Sequence, residues 1–322
     1  MKPIILFDVN VGSENMGDAI IMHYCNMHLR SIFPNDFFLS IPTHDYIGER
    51  FKTAYLNAKL KVVCGTNLIS ATMNDKTCMQ WFLDAKDRRL LRDVILMGVG
   101  WQSYNEKINR YSRQLLHSIL SKENYLLSVR DNYTKERLNS MGFANVVNTG
   151  CPTMWNLTSQ FCEEINTKKT SDVVTTITNY NRDYLQDKYM LDVLKRKYQT
   201  VYIWIQSYYD IAYLQEICNV DEYKLIPPSM EKYTEILQTG IDYVGTRLHA
   251  GIHALNNKCR TIIVSVDNRA KEISRDTKLF VIEREDLQEK LEKAIVDDLK
   301  CEIVIPTEEI KQWKEQFVRK TD

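Results

Sequence analysis

The hydrophobic and polar positions of the chain follow two alternating periods. Short apolar runs rich in Val, Ile and Leu are followed by longer segments in which apolar residues recur every three or four positions. The first pattern is typical of buried strands and the second of amphipathic helices. In the first half it predicts strands at residues 4–7, 37–41, 60–64, 93–97, 125–129 and 145–148, and helices at residues 19–33, 79–91, 108–120 and before Gly142.

The same alternation begins again after residues 166–172, a polar segment without apolar anchors that we interpret as an interdomain linker. The second half has predicted strands at residues 173–177, 201–205, 224–226, 241–244, 261–266 and 279–282, and helices at 184–198, 211–218, 230–237, around 252–255 and at 287–299. Residues 267–278 are predicted to be a polar loop. We therefore expect an α/β protein of two doubly wound, Rossmann-like domains that face each other across a cleft.

The expected domains are residues 1–165, as the acceptor side, and residues 173–303, as the donor side, followed by a C-terminal helix within residues 304–322. Thr307 is placed to cap that last helix. Its apolar residues Ile310, Trp313 and Phe317 fall on one face, so the helix is expected to pack on one of the domains.

Composition narrows the class of protein. Lys+Arg and Asp+Glu both number 42 among 322 residues, so no global basic field recruits nucleic acid. No run approaches the ~20 apolar residues of a membrane span. The cysteines form no C-x-x-C pair, which favours reduced thiols and a cytoplasmic protein, with at most transient contact at the inner face of the membrane. They are Cys25, Cys64, Cys78, Cys151, Cys162, Cys218, Cys259 and Cys301.

The strongest candidate site is the segment from Gly245 to His253, which follows the predicted strand at 241–244 and begins a helix. Parallel α/β sheets bind ligands at such strand-to-helix turns. Arg247 supplies a permanent positive charge and His249 a group that titrates near neutral pH, which together favour an anionic substrate and a proton transfer. The alternative is structural: Arg247 pairs with a carboxylate, and His249 bonds to backbone.

Two other loops also carry polar residues after an apolar strand. The first contains Asn15, Gly17 and Asp18, and the second contains Arg130 and Asp131. With Thr-Arg-Leu-His-Ala at residues 246–250, their order and spacing resemble the polysaccharide pyruvyl transferase family, which has N-x-G-D, S-x-R-D and R-L-H-A motifs in this sequence order. The resemblance extends over roughly residues 1–285.

This resemblance implies a fold like that of GT-B glycosyltransferases and the transfer of a pyruvyl group from phosphoenolpyruvate to a sugar as a ketal. It also implies a lysine in the loop after the strand at 261–266, which here is Lys271, a candidate for neutralising phosphate. Asn15 and Gly17 of the first loop are counted with the substrate-binding residues. The expected product is a modified sugar of a capsule, exopolysaccharide or cell-wall polymer, with a lipid-linked repeat unit as one acceptor.

The chemistry suits the residues as well. Phosphoenolpyruvate carries a carboxylate and a phosphate, for which Arg247 and Arg130 are the candidate cationic forks. Ketal formation needs an acid and a base, for which His249 and Asp18 are the candidates. No metal or other cofactor is expected, because the pair His249 and His253 lacks a third zinc ligand.

Two departures from the family pattern leave alternatives open. Only one glycine, Gly65, stands in the turn after the third strand, and Cys151 precedes Pro152 where the family usually has an aspartate. The alternatives are a GT-B glycosyltransferase that uses a nucleotide sugar and a non-catalytic saccharide-binding relative. Tyr208 and Tyr209 at a strand end are candidates either for holding an acceptor sugar or for ordinary packing.

Overall fold

The structure is a computed structural model that describes residues 2–75, 80–104 and 107–318. Cys78 and the start of the helix predicted at 79–91 lie outside these residues. The chain divides into two compact units. Unit 1 comprises residues 1–13, 21–155 and 306–322, and unit 2 comprises residues 14–20 and 156–305.

Unit 1 contains a parallel sheet of four strands in the order β2-β1-β3-β4 and a parallel pair β5-β6. The strands are β1 (Ile4–Asp8), β2 (Phe38–Pro42), β3 (Leu60–Cys64), β4 (Val94–Met97), β5 (Leu127–Val129) and β6 (Val146–Asn148). The helices between them are α1 (Met16–Ile32), α2 (Glu49–Asn57), α3 (Ala85–Leu90), α4 (Arg110–Ile119) and α5 (Asn132–Asn139). The start of α1 belongs to unit 2 by its contacts.

Unit 2 contains six parallel strands in the order β12-β11-β10-β7-β8-β9. The elements are α6 (Ser159–Glu163), β7 (Asp172–Thr175), α7 (Tyr184–Lys197), β8 (Thr200–Trp204), α8 (Asp210–Ile217), β9 (Lys224–Ile226), α9 (Met230–Leu237), β10 (Asp242–Gly245), α10 (Leu248–Asn256), β11 (Thr261–Ser265), α11 (Asn268–Thr277), β12 (Val281–Glu283) and α12 (Leu287–Val296). This strand order is that of a dinucleotide-binding Rossmann sheet, in which the first and fourth strands are neighbours. The predicted class of parallel, Rossmann-like α/β domains is confirmed.

The prediction of a polar loop at 267–278 was wrong, because these residues form α11. Asp267 caps the helix by accepting a hydrogen bond from the amide of Arg269 at 2.9 Å. The helix buries Ala270, Ile273 and Thr277, which recur at the spacing of one helix face. The other seven residues of the helix are polar or charged, so the sequence shows no clear apolar periodicity there. The helix predicted at 79–91 is shorter than expected, since α3 begins after the Asp84 cap, and α2 and α6 were missed.

The segment predicted as a linker lies within unit 2 and is held there by backbone hydrogen bonds. The amide of Asn166 donates to the carbonyl of Lys258 at 3.1 Å, and the carbonyl of Thr167 accepts from Nε of Arg260 at 3.1 Å. Arg260 is itself fully buried and pairs with Asp242 at 3.1 Å. Polar side chains in this segment therefore reflect its bonded backbone rather than a free connection. The chain passes between the units at residues 13–14, 20–21, 155–156 and 305–306.

The C-terminal helix α13 (Thr307–Val318) groups with unit 1 rather than standing apart. Its predicted apolar face is buried, with Trp313 at 5.5 Å from the Trp155 ring and Phe317 at 5.3 Å from the Phe33 ring. These edge-on aromatic contacts explain why so short a helix is stable in this position.

Candidate functional site

The loops that follow β7 and β10 meet at the point in the unit 2 sheet where the strand order reverses. In Rossmann sheets this position forms a crevice at the carboxyl ends of the strands and binds the ligand. Arg247 directly precedes α10 after β10, and Asn179 and Tyr180 follow β7. The segment that the sequence singled out therefore lies at the most favourable ligand position of this sheet.

Arg247 is almost completely buried, and three protein groups hold its guanidinium. Nε donates to the carbonyl of Ile177 at 3.2 Å, and Nη2 donates to Oδ1 of Asn179 at 3.1 Å. Nη2 also forms an ion pair with Oδ1 of Asp210 at 2.5 Å. Burial raises the pKa of Asp210, and the nearby charge of Arg247 opposes that rise. The structural interpretation of Arg247 is thus partly realised, and Asp210 both orients and neutralises it.

The backbone around Arg247 is fixed by β7 and by Tyr243. The Tyr243 hydroxyl donates to the carbonyl of Arg247 at 2.8 Å, and the amide of Arg247 donates to Oγ1 of Thr176 at 3.2 Å. A Cβ atom at Gly245 would lie 2.6 Å from Oγ1 of Thr176, so only glycine allows this approach. The guanidinium is held before any ligand arrives, which lowers the entropic cost of binding.

A second arginine, Arg269 in the first turn of α11, shares an aromatic neighbour with Arg247. The guanidinium carbons of Arg247 and Arg269 lie 5.1 Å and 5.7 Å from the centroid of the Tyr180 ring. Nε of Arg269 donates to Oδ2 of Asp267 at 2.9 Å, and its Nη2 contacts the Tyr180 hydroxyl. Burial raises the pKa of Asp267, but Arg269 outweighs it and lowers that pKa to about 2. Two cationic forks therefore lie over the ring of one tyrosine.

The predicted loop of Asn15, Gly17 and Asp18 belongs to the same unit. Oδ1 of Asn15 accepts hydrogen bonds from Nε2 of Gln206 at 2.8 Å and from the amide of Gly17 at 3.0 Å. A Cβ atom at Gly17 would lie 2.8 Å from Nε2 of Gln206, which explains the glycine. The buried Asp18 carboxylate contributes to a raised pKa of Arg269. The structure thus brings this loop close to the second arginine.

The other predicted residues of unit 2 have different surroundings. His249 is buried in the first turn of α10. His253 lies one turn later, where Nε2 is 2.9 Å from Oγ1 of Thr234. Nζ of Lys271 pairs with Glu283 at 2.7 Å, and this bond raises the lysine pKa. The structure therefore does not bring Lys271 into contact with the two arginines. Within residues 2–75, 80–104 and 107–318, no group of three or more His, Cys, Asp or Glu side chains is arranged to hold a metal ion.

Arg130 lies in unit 1, after β5, and is buried with part of its hydrogen-bonding capacity unused. Its Nη2 donates to Oδ1 of Asn67, and its Nε lies 3.5 Å from Oδ2 of Asp131. Among the described residues, neither Nε nor Nη1 has a hydrogen-bond partner. A Cβ atom at Gly100 would lie 2.5 Å from Nη2, so a larger residue there would displace the guanidinium. Buried unpaired N–H groups cost about 1–3 kcal/mol each, which a bound oxygen atom would recover.

The two departures from the family pattern lie in the same unit. Gly65 has φ +60°, and a Cβ atom there would lie 2.2 Å from Cγ2 of Ile21. Thr66 takes the left-handed conformation that a second glycine would adopt without strain, with φ 45°. Burial raises the pKa of the Cys151 thiol, whose Sγ lies 3.0 Å from Oγ1 of Thr153. This supports a packed thiol rather than a nucleophile.

Comparison with protein families decides the relationship. The family model described as polysaccharide pyruvyl transferase matches residues 15–268, well over half of the chain. The chain belongs to this family. The match contains the motif loops around Gly17, Arg130 and Arg247, and it ends directly before Arg269. Membership supports a transferase that acts on a saccharide. Curated protein sequences give no significant match.

Solved structures similar to this pyruvyl transferase family member show its fold. UDP-GlcNAc 2-epimerase from Methanocaldococcus jannaschii in complex with UDP-GlcNAc and UDP has a TM-score of 0.52 and 13% identity, with 99% of each chain covered. A second structure of that enzyme has a TM-score of 0.51 at 13% identity, again with 99% of each chain covered. These neighbours have the GT-B fold, which confirms the predicted fold class. None of the helices in the described ranges has the length and apolar character needed to cross a membrane.

Three residues of this site were not identified from the sequence of the transferase: Tyr180, Asp210 and Arg269. Arg269 was not selected because its segment was predicted to be a loop. In that loop Lys271 was chosen instead, since it matches a lysine of the family. Placing the segment on a helix would have put Arg269 in the first turn, next to the strand end. Asp210 and Tyr180 carry no local signal, since they contact Arg247 from positions 37 and 67 residues away.

Proposed function

We propose that this family member transfers a pyruvyl group from phosphoenolpyruvate to two hydroxyls of one sugar, forming a cyclic ketal and releasing phosphate. The observation that carries the proposal is that Arg247 and Arg269 both lie over the ring of Tyr180 at the reversal point of the sheet. Phosphoenolpyruvate has two anionic groups on a three-carbon frame, and two preorganised guanidiniums match that charge.

In the proposed reaction, His249 donates a proton to the methylene carbon, which becomes a methyl group. The central carbon is then electrophilic and is attacked by one sugar hydroxyl. The second hydroxyl attacks the same carbon and displaces phosphate. The two hydroxyl protons end on the methyl group, by way of the histidine, and on the phosphate. Asp18 is the proposed acceptor of a hydroxyl proton. Phosphoenolpyruvate is the co-substrate, and no further cofactor takes part.

Asp210 has a supporting role in this proposal. It fixes the orientation of Arg247 through the ion pair between Nη2 and Oδ1 of Asp210. Arg130 of unit 1, whose Nε and Nη1 have no hydrogen-bond partner among the described residues, stays a predicted substrate-binding residue. The proposed setting is the synthesis of a capsule, exopolysaccharide or cell-wall polymer, at the inner face of the membrane when the acceptor is lipid-linked.

The test is phosphate release from phosphoenolpyruvate over a panel of saccharides, for the wild type and for Arg269→Ala. Loss of one charge-assisted contact, worth about 1.5–3 kcal/mol, is expected to weaken donor affinity ~10- to 100-fold. Arg275→Ala is the matched control, because Arg275 lies on the same helix with its side chain 72% exposed. His249→Gln is expected to bind the donor but turn over at least ~100-fold more slowly.

Three results would contradict the proposal. Phosphate release that is equal in the wild type and in Arg269→Ala would remove the arginine pair from the donor site. No release with any acceptor, combined with thermal stabilisation by UDP or GDP but not by phosphoenolpyruvate, would favour a nucleotide-sugar glycosyltransferase. Saccharide binding without either activity would favour a non-catalytic relative.

A further inference from the structure

The exposed tyrosines of unit 2 are concentrated at one edge of its sheet. All residues of this unit are described, and its exposed tyrosines are Tyr180, Tyr184, Tyr208 and Tyr209. The first two follow the carboxyl end of β7, and the other two follow the carboxyl end of β8. The remaining tyrosines of the unit are buried or half-buried. Aromatic surface left in water beside a ligand-binding edge indicates a binding surface.

Tyr208 and Tyr209 are the most informative of these. Their exposed fractions are 74% and 49%, so neither ring is needed to fill the core. The ring centroids are 5.2 Å apart with an angle of 86° between the planes. Two perpendicular rings make a corner, which offers one flat face and one edge to a ligand. This is a rigid shape, because a tyrosine has few rotatable bonds to immobilise.

The backbone that carries this corner is fixed on both sides. The amide of Ser207 donates to Oδ2 of Asp210 at 2.9 Å, and the amide of Tyr208 donates to the carbonyl of Glu14 at 3.3 Å. Asn15 and Ser207 also form an antiparallel bridge. The tyrosine pair is therefore not on a loose loop, and a ligand would meet it in one arrangement.

The same contacts connect the corner to the proposed donor site. Tyr209 directly precedes Asp210, whose other carboxylate oxygen pairs with Arg247. The bridge residue Asn15 directly precedes α1, whose first turn carries Asp18, the proposed hydroxyl-proton acceptor. These contacts connect the corner both to Arg247, the proposed donor-binding residue, and to the segment that carries Asp18, the proposed hydroxyl-proton acceptor.

We infer that Tyr208 and Tyr209 form the acceptor subsite and hold a hexopyranose ring. The C–H face of the sugar packs against one of the two aromatic rings. This inference rests on the proposed function for the role of that sugar as acceptor. The flat, uncharged aromatic corner suits a sugar ring, whereas the neighbouring arginines attract the anionic donor. A saccharide packed there would be positioned by its carbon skeleton, leaving its hydroxyls available for reaction.

The experiment compares the full-length wild type with Tyr208→Ala, Tyr209→Ala and the double variant. Phe280→Ala is the control, because Phe280 is a 40% exposed aromatic just before β12, at the opposite edge of the same sheet. Binding is measured by saturation-transfer NMR with methyl β-glucopyranoside, methyl β-galactopyranoside and methyl α-mannopyranoside. Kinetics are measured as phosphate release with the best acceptor of the saccharide panel.

We expect saturation transfer to the sugar ring protons to be lost in the double variant and retained in Phe280→Ala. The KM for the acceptor should rise ~10-fold in the double variant, while the KM for phosphoenolpyruvate stays within twofold. A structural role for the tyrosines would instead change both constants together or lower the melting temperature.

The outcomes separate this inference from the proposed function. Phosphate release with an unchanged acceptor KM in the double variant overturns the subsite and leaves the transferase standing. Saturation transfer that depends on the two tyrosines, without release from phosphoenolpyruvate, supports the subsite and refutes the donor. No saturation transfer from the wild type to any of the three glycosides overturns the subsite as well.

Discussion

The ion pair between Arg247 and Asp210 makes a quantitative prediction about stability. Both side chains are almost fully buried, at 3% and 2% exposed, and Nη2 lies 2.5 Å from Oδ1. Replacing Arg247 by Met leaves the Asp210 carboxylate buried without its counter-charge. Breaking a buried pair on one side costs about 3–5 kcal/mol. Because native domains are stable by about 5–15 kcal/mol, this is a large fraction of the total.

The neutral double variant Arg247→Met/Asp210→Asn is expected to recover most of that loss. The asparagine keeps one oxygen atom to accept the amide of Ser207, the bond that Oδ2 of Asp210 makes in the wild type. A pair of neutral side chains has no charge to desolvate, so the two substitutions together should cost less than the first alone. Neither variant should bind phosphoenolpyruvate normally, because both lack the guanidinium.

The assay is thermal unfolding of the two variants and the wild type, with donor binding by calorimetry. We expect a lower melting temperature for Arg247→Met by roughly 6–20 °C, from about 2–4 °C per kcal/mol in a unit of this size. The loss should shrink at lower pH, because the stranded Asp210 can then be protonated. This direction follows because burial raises the pKa of Asp210 in the folded state above its value in the unfolded chain. A carboxyl group with a raised folded-state pKa lowers the stability of the fold as the pH rises through that pKa. A double variant no more stable than Arg247→Met would refute the reasoning.

Two further predictions concern residues outside this pair. Burial and the charge of Lys314 lower the pKa of His28 from 6.5 to about 4, so the fold loses stability as pH falls below 6.5. The carbonyl of Pro152 lies 3.1 Å from Nε2 of His28, and His28→Gln retains a hydrogen-bond donor for it. In urea unfolding, the free energy of unfolding that the wild type loses between pH 7 and pH 5 should be about 2 kcal/mol smaller in this variant. If the free energy of unfolding changed with pH equally in the wild type and in His28→Gln, this assignment would be contradicted. Lys271→Ala should leave donor affinity within twofold in calorimetry, because Lys271 pairs with Glu283; a tenfold loss would restore its predicted role at the phosphate.

Much of the fold could be predicted because the chain's local patterns agree with its tertiary structure. The strands from β7 to β12 are short apolar runs bounded by polar residues. Their local sequence favours the same strand conformation that the folded protein adopts. The R-L-H-A segment was recognised for the same reason: a strand, a glycine and a helix follow each other directly. Its glycine is required by Thr176 and Tyr243, which lie against it.

Other features depend on contacts that no local pattern contains. Residues 166–172 look like a linker because their side chains are polar, but their backbone is bonded to the segment around Arg260. The helix α11 buries only four of its ten residues, and Ile273 is the one large apolar side chain among them, so its stability depends on the Asp267 cap and on packing against its own unit. The grouping of α13 with unit 1 depends on Trp313 meeting the Trp155 ring.

The sequence by itself determined the class of parallel α/β sheets, the family motifs and the presence of Arg247 at a strand end. Only the tertiary structure decided which side chains surround that arginine. Asp210 and Tyr180 reach Arg247 because parallel strands that are distant in sequence end at the same edge of one sheet. The tertiary structure likewise gave Arg269, rather than Lys271, a place beside Tyr180. The sequence specifies the charge of each residue. The electrostatic field at a site is the sum of the contributions of all charged residues that folding brings near it.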